Sequence, residues 1–189
     1  MAVILASQSP RRQQLLDQIG CSHIIMPSTV IENNNTFLNP RELVVHHAAL
    51  KALAIAPQCE SEDIIIGADT VVVLDGQVFG KPVDHDDAYR MLTQLSGCSH
   101  QVITGVVVVK GDSIYSDSQE TIVKIRSLSE TEIEHYVATG EPMDKAGAYA
   151  IQGIGALLVE YIEGCYSNVV GLPLVTFHRL ISQAGVRLL

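Results

Sequence analysis

The sequence predicts an α/β fold, with a mixed, twisted central sheet, flanking helices and two lobes around a cleft. Three observations predict it. Strand-like and helix-like stretches follow one another in mixed order, with no internal repeat and no flexible linker. The run from Ile64 to Leu74 is apolar at both phases of a strand alternation, which marks a strand buried on both faces of a sheet. Asp75-Gly76 then turns directly into Gln77 to Phe79, and a two-residue hairpin demands an antiparallel pair in that sheet. With 189 residues, 47% of them hydrophobic, the chain can bury a sizeable core, and 1–189 is expected to act as a single domain.

Residues 2–6 read as a first strand, and Ser9-Pro10 supplies a cap and a first-turn proline for a helix with the stripe Leu15, Leu16 and Ile19. A second strand fits Ser22 to Met26. The polar stretch from Ser28 to Asn39 is longer than a turn needs, which suits a functional loop. Asn39-Pro40 starts a helix running to about Ile55. After the hairpin, a helix from about Asp84 to Ser96 stops at Gly97. Gln101 to Lys110 and Ser113 to Ile125, joined at Gly111-Asp112, read as an antiparallel pair. Ser129 with Glu132 makes a capping box for a short helix ending at Gly140. A glycine-rich loop, a strand from Ala156 to Ile162, a second loop and a helix from about Leu172 to Ala184 complete the chain.

The net charge of -9 argues against a stable complex with nucleic acid, whose affinity comes from lysines and arginines that displace counterions. A polyanionic ligand must instead meet a local basic cluster. Cys21, Cys59, Cys98 and Cys165 form no CxxC pair and read as reduced packing residues. No HxxxH spacing is present, and the neighbours His46 and His47 should fall on different sides of their helix. The longest apolar run is broken by Asp69, so no membrane helix is expected. The apolar start runs at once into Ser7, Pro10, Arg11 and Arg12, unlike a signal peptide, and the expected location is the cytoplasm.

Several segments carry candidate chemistry. Ser7-Gln8-Ser9-Pro10-Arg11-Arg12 sets hydroxyls, guanidiniums and unpaired amides at a helix start, where the dipole favours an anion. Cationic residues in a first turn oppose that dipole, so they suit a ligand better than a plain cap. Asp69, alone among apolar neighbours, must be paired or functional, as a general base, a magnesium ligand or both. Were it unpaired, Asp69→Asn would gain stability. Lys51 lies on the apolar side of its helix, at helical spacing from Val44, Ala48 and Ile55, and asks for a partner unless it snorkels at the helix edge. Lys81 in Gly80-Lys81-Pro82 follows the hairpin, whose fold-back would bring it toward the acid. Gln152, in the stretch from Asp144 to Gly153, carries a paired donor and acceptor suited to a base edge.

Taken together, Ser-x-Ser-Pro-Arg-Arg, Gly-Ala-Asp-Thr-Val, Gly-Lys-Pro, Asp-Lys-Ala-Gly-Ala-Tyr-x-Ile-Gln-Gly and Tyr-x-Asn-Val-Val-Gly-Leu-Pro stand in the order and spacing of the Maf family, which this sequence resembles over its whole length. The resemblance implies a fold related to that of inosine triphosphatases and a divalent metal, Mg²⁺ or Mn²⁺. It implies Asp69 as proton acceptor, with Ser7, Arg12, Glu32, Lys51 and Lys81 around the triphosphate. Arg11, Thr70 and Gln152 would choose the base, and Asp69 and Glu32 would be the metal ligands. Thr70 and Gln152 fit the branch that resembles dTTP/UTP pyrophosphatases rather than 7-methyl-GTP pyrophosphatases. A homodimer is implied as well. Cys165 and Ala150 stand where the family commonly has serine and glycine.

The expected reaction is attack of water on the α-phosphorus of dTTP or UTP, with CTP and modified pyrimidine nucleotides as further candidates, releasing pyrophosphate. Arg11, Arg12, Lys51, Lys81 and Lys145 would gather five of the chain's 12 basic residues around that site, offsetting the net charge. Two rivals remain open at this stage. One is a regulatory binding protein without turnover, suggested by the family name's tie to septum inhibition. The other is a phosphatase with Asp69 as nucleophile, which would release orthophosphate.

Overall fold

Local capping fixes where the helices begin. The computed structural model describes residues 1–31 and 39–189, so Glu32 lies outside the described residues. Strand β1 (Val3–Leu5) leads into helix α1 (Pro10–Gln18), with Ser9 at the cap and Pro10 opening the first turn. Helix α2 (Pro40–Ile55) starts in a full capping box: Asn39 accepts from the Glu42 amide, and Glu42 reaches back to the Asn39 amide. The same box, Ser129 with Glu132, opens α4 (Glu130–Ala138), and Asp84 caps α3 (His85–Leu95) by accepting from the Asp87 amide. These three starts fall where the sequence placed them.

Among the described residues the sheet holds seven strands: β1, β2 (Ile24–Ile25), β3 (Ile64–Leu74), β4 (Gln77–Phe79), β5 (Ser99–Lys110), β6 (Ser113–Ile125) and β7 (Val159–Glu163). Their order is β2-β1-β3-β5-β6-β7, with β4 paired to β3. β1 runs parallel to β2 and β3, with Ile4 opposite Ile65, whereas β4 is antiparallel to β3 and β7 to β6. The sheet is therefore mixed, as the hairpin required. Asp75 and Gly76 both take positive φ, 50° and 80°, the backbone that a tight two-residue hairpin demands.

The chain forms two compact units. Unit 1 comprises Met1–Asp69, Thr104–Gln119 and Gly171–Leu189; unit 2 comprises Thr70–Ile103 and Glu120–Val170. β3, β5 and β6 contribute residues to both. In unit 1, Ile4, Ala6, Ile65, Val107 and Val109 pack with Ala48, Ala52 and Ile55 of α2. Glycines decide how near α2 comes. A Cβ on Gly67 would lie 2.0 Å from the Ala48 carbonyl oxygen, and one on Gly105 would lie 2.5 Å from the Val44 carbonyl carbon. Helix backbone therefore rests on strand backbone, which only glycine permits. In unit 2, Val72, Phe79, Leu92, Val123, Ile133, Tyr136 and Tyr149 form a separate core.

The structure differs from the sequence reading in several places. Only Ile24–Ile25 of the second predicted strand pairs, and both side chains are exposed at the sheet edge. Three 3-10 turns, Glu141–Asp144, Ala146–Ala148 and Gly153–Leu157, replace the expected glycine-rich loop. β7 starts three residues later than expected. The second loop contains a short helix α5 (Tyr166–Val170), and the last helix, α6 (Leu174–Gln183), starts only after Pro173. No described helix is long and apolar enough to cross a membrane.

Candidate active site

Asp69 occupies the sixth position of β3 and is 5% exposed. It is paired, because α2 presents two donors to it. Lys51 Nζ donates to Asp69 Oδ1 at 2.7 Å and to the Ala68 carbonyl at 3.3 Å. His47 Nδ1 lies 3.1 Å from Asp69 Oδ2. An ionised carboxylate only accepts, so the imidazole proton sits on Nδ1. His47 and Lys51 are four residues apart, so one helix face carries both. Burial pushes the Asp69 carboxyl up, but the His47 bond, the charge and bond of Lys51 and the charge of Arg12 outweigh it and hold the group below its ordinary value. The carboxylate is thus buried and ionised.

Arg12 supplies the second positive charge, from inside the protein. It is buried, donating from Nε to the Gly171 carbonyl at 2.8 Å and from a terminal nitrogen to Ser7 Oγ at 3.1 Å. Ser7 Oγ also accepts the Ser9 amide at 3.2 Å. The N-terminal motif therefore fastens the start of α1 to Gly171 while setting a guanidinium charge near Asp69. Arg11, the next residue back, is half-buried, and α1 has no acidic side chain in its first turn to consume its dipole. Ser7, Arg12, Lys51 and Asp69 all belong to unit 1, as does Arg11.

The remaining candidates lie in unit 2. Thr70 is half-buried and follows Asp69 along β3. Lys81 is exposed just beyond β4. Gln152 is half-buried at the entrance to the turn Gly153–Leu157. A residue that the sequence reading passed over organises that turn. Glu141 accepts from the Ile154 amide at 3.1 Å, the Gly155 amide at 2.8 Å and the Tyr136 hydroxyl at 2.9 Å. Burial raises its carboxyl, and the two amide bonds and the tyrosine bond more than offset that, keeping it ionised. A side chain on Gly153 would meet the Glu141 carboxylate at 2.5 Å, so glycine is required for this clasp. The expected glycine-rich loop is thus fastened by Glu141 into a platform beside Gln152.

Lys145, counted from sequence with the basic cluster, is engaged locally. Its ammonium donates to the Glu141 carbonyl and to Asp144, each at 2.6 Å. Asn168 of the last motif is a fastener, with Nδ2 donating to the Val102 carbonyl and to Thr121 Oγ1, both at 2.9 Å. The four cysteines are free thiols. Sequence reasoning also missed His47, although its spacing from Lys51 was the available signal: His46 is exposed and His47 is 2% exposed, so the pair does split between helix faces. Among the described residues no three His, Cys, Asp or Glu side chains gather into a metal cage.

An α/β fold holding a buried, ionised aspartate within a lysine, arginine and histidine cluster defines a class of acid-centred sites suited to a phosphorylated ligand. Within that class the chain belongs to the family described as Maf-like protein, whose model matches residues 2–184. It is 48% identical to a dTTP/UTP pyrophosphatase of Dictyoglomus thermophilum over 99% of this chain and 98% of the other. It is 49% identical to a dTTP/UTP pyrophosphatase of Symbiobacterium thermophilum, over 97% and 94% of the two chains. The fold is similar to that of the Staphylococcus aureus Ham1 protein, with a TM-score of 0.50 and 15% identity over 84% of this chain and 80% of that one. The inosine triphosphatase-like α/β architecture expected from sequence agrees with this likeness.

Proposed function

We propose that the protein hydrolyses dTTP and UTP to the nucleoside monophosphate and pyrophosphate, with Asp69 accepting the proton of the attacking water. The observation that carries the chemistry is a buried aspartate kept ionised by Lys51, His47 and Arg12. The substrate class rests on relatives of that name at about half identity over nearly the whole chain. Water oxygen bonds to the α-phosphorus as the bond from that phosphorus to the bridging oxygen of the pyrophosphate breaks. A carboxylate with a depressed pKa is a weak base. It suffices because phosphoryl transfer passes through a loose transition state, so the water becomes acidic only once its oxygen has begun to bond to phosphorus. Asp69 orients the water first and collects the proton late.

Arg11, Arg12, Lys51 and Lys81 offset charge on the triphosphate and on the departing pyrophosphate, with Ser7 among the phosphate contacts. Gln152, backed by the Glu141 clasp, reads the O4 and N3–H edge of uracil or thymine, with Arg11 and Thr70 completing the choice of base. The donor set fits Mg²⁺ or Mn²⁺, since such ions take one or two carboxylates and fill the rest of their shell with phosphate and water oxygens. Asp69 has lone pairs beyond those bonded to Lys51 and His47, and Glu32 is the second candidate ligand. When bound, the metal supplies charge neutralisation at the phosphates and acidifies water. The reading extends to one functional domain over residues 1–189, a cytoplasmic location, homodimerisation and no stable nucleic-acid complex.

Incubating the protein with UTP and Mg²⁺ and separating the products tests this. UMP and pyrophosphate in equal amounts are expected. Orthophosphate with UDP would indicate attack at the γ-phosphorus, and tight binding without products would indicate a regulatory binding protein.

A further inference from the structure

We infer that His47 is a positioning residue for Asp69, fixing the plane of the carboxylate so that its remaining lone pairs face the attacking water; this rests on Asp69 being the proton acceptor. His47 is 2% exposed on the buried side of α2, among Leu43, Val44, Ala48, Ala52 and Ile55, where an apolar side chain would fill the space without burying a polar ring. A carboxylate held by one donor still rotates about its terminal torsion, which is broad for aspartate. Here the two donors take different oxygens, Lys51 at Oδ1 (2.7 Å) and His47 at Oδ2 (3.1 Å), and together they stop that rotation. The helix carrying them is itself pinned. Ala48, the residue after His47, sits with its carbonyl against Gly67, two residues before Asp69, leaving no room for a Cβ. Donor and acceptor are therefore held by the same backbone contact.

The experiment compares His47→Leu, which keeps apolar bulk and removes the donor, with His47→Asn, whose side-chain amide can stand where Nδ1 stands. For each, kcat and KM of pyrophosphate release from UTP are measured alongside the unfolding temperature, with Asp69→Asn as the reference. His47→Leu is expected to lower kcat by on the order of 10- to 100-fold, the scale on which a misplaced catalytic group acts, with KM changed less than about threefold. His47→Asn is expected to recover most of kcat even if it melts lower than the leucine variant. Activity that follows stability across the two variants, or full kcat in His47→Leu beside an inactive Asp69→Asn, would overturn the positioning role alone. Full turnover in Asp69→Asn would instead remove the reading on which it rests.

Discussion

Replacing Gly67 by alanine should damage stability and turnover together, because one contact governs both. The new Cβ would lie 2.0 Å from the Ala48 carbonyl oxygen and 2.9 Å from its carbon. A carbon–oxygen approach of about 3.3 Å is the comfortable lower limit, so α2 must retreat by roughly 1.3 Å. A gap of ~0.5–1 Å already forfeits a quarter to a half of each van der Waals contact across the interface, so Ala48 and Ala52 lose much of their packing. Overpacking of this kind costs about 1–3 kcal/mol, and a clash with backbone on both sides belongs at the upper end. For a chain of this size that is a fall in Tm of about 6–12 °C. His47 and Lys51 travel with the helix. Their 3.1 and 2.7 Å bonds to Asp69 would stretch past hydrogen-bonding distance, and kcat should fall by on the order of 100-fold. The assay is thermal unfolding by circular dichroism together with pyrophosphate release from UTP. Gly20→Ala serves as control, because Gly20 has φ 66° and open space around it, so alanine there adds only local backbone strain. A Gly67→Ala protein with lowered Tm and unimpaired kcat would refute the coupling, and one unchanged in both would refute the packing argument.

His100 predicts a pH dependence of stability. Burial pushes its imidazole down to about 4 from 6.5, so the unfolded chain binds the extra proton and the folded one does not. Its contribution is complete above pH 6.5 and is lost as pH falls toward 4, by about 2 kcal/mol between pH 6.5 and 5. Urea unfolding should show this loss, and His100→Gln, which retains a partner for the Tyr149 hydroxyl now 2.7 Å from Nε2, should flatten it. Gln152→Glu should lower kcat/KM for dTTP and UTP together, by on the order of the 1–3 kcal/mol of an unsatisfied buried group, and CTP less, since cytosine presents an amino donor at that edge. An unchanged ratio among the three nucleotides would assign base reading to other groups.

What the sequence made legible was local or self-advertising. A lone carboxylate in an eleven-residue apolar strand announces itself, as do Asn39-Pro40, the Ser129/Glu132 box and the Asp75-Gly76 hairpin, whose signals lie within four residues of the structure they specify. What it hid depends on partners far along the chain. His47 looks like one of seven scattered histidines until α2 docks on β3, and that docking is decided by Gly67 and Gly105, which within their strands read as weak points. Glu141 looks like a helix-end charge until the 3-10 turns bring Ile154 and Gly155 to it. β2 was overextended because Ser22 to Met26 satisfies a strand pattern while only Ile24 and Ile25 enter the ladder with β1. The resemblance singled out Asp69 and Gln152, but not the His47 bond to the first or the Glu141 clasp beside the second.

The pairing of Asp69 also reverses one sequence-based expectation. An unpaired buried charge would make Asp69→Asn more stable; the paired one found here predicts a loss of stability, because the variant removes the charge that Lys51 meets at 2.7 Å. Turnover of UTP by a folded Asp69→Asn protein, compared with the native protein at one saturating Mg²⁺ concentration, tests the central claim most directly. The account predicts a fall in kcat of roughly 10²- to 10⁴-fold, with circular dichroism unchanged at the assay temperature. Near-native turnover in that folded protein would contradict it.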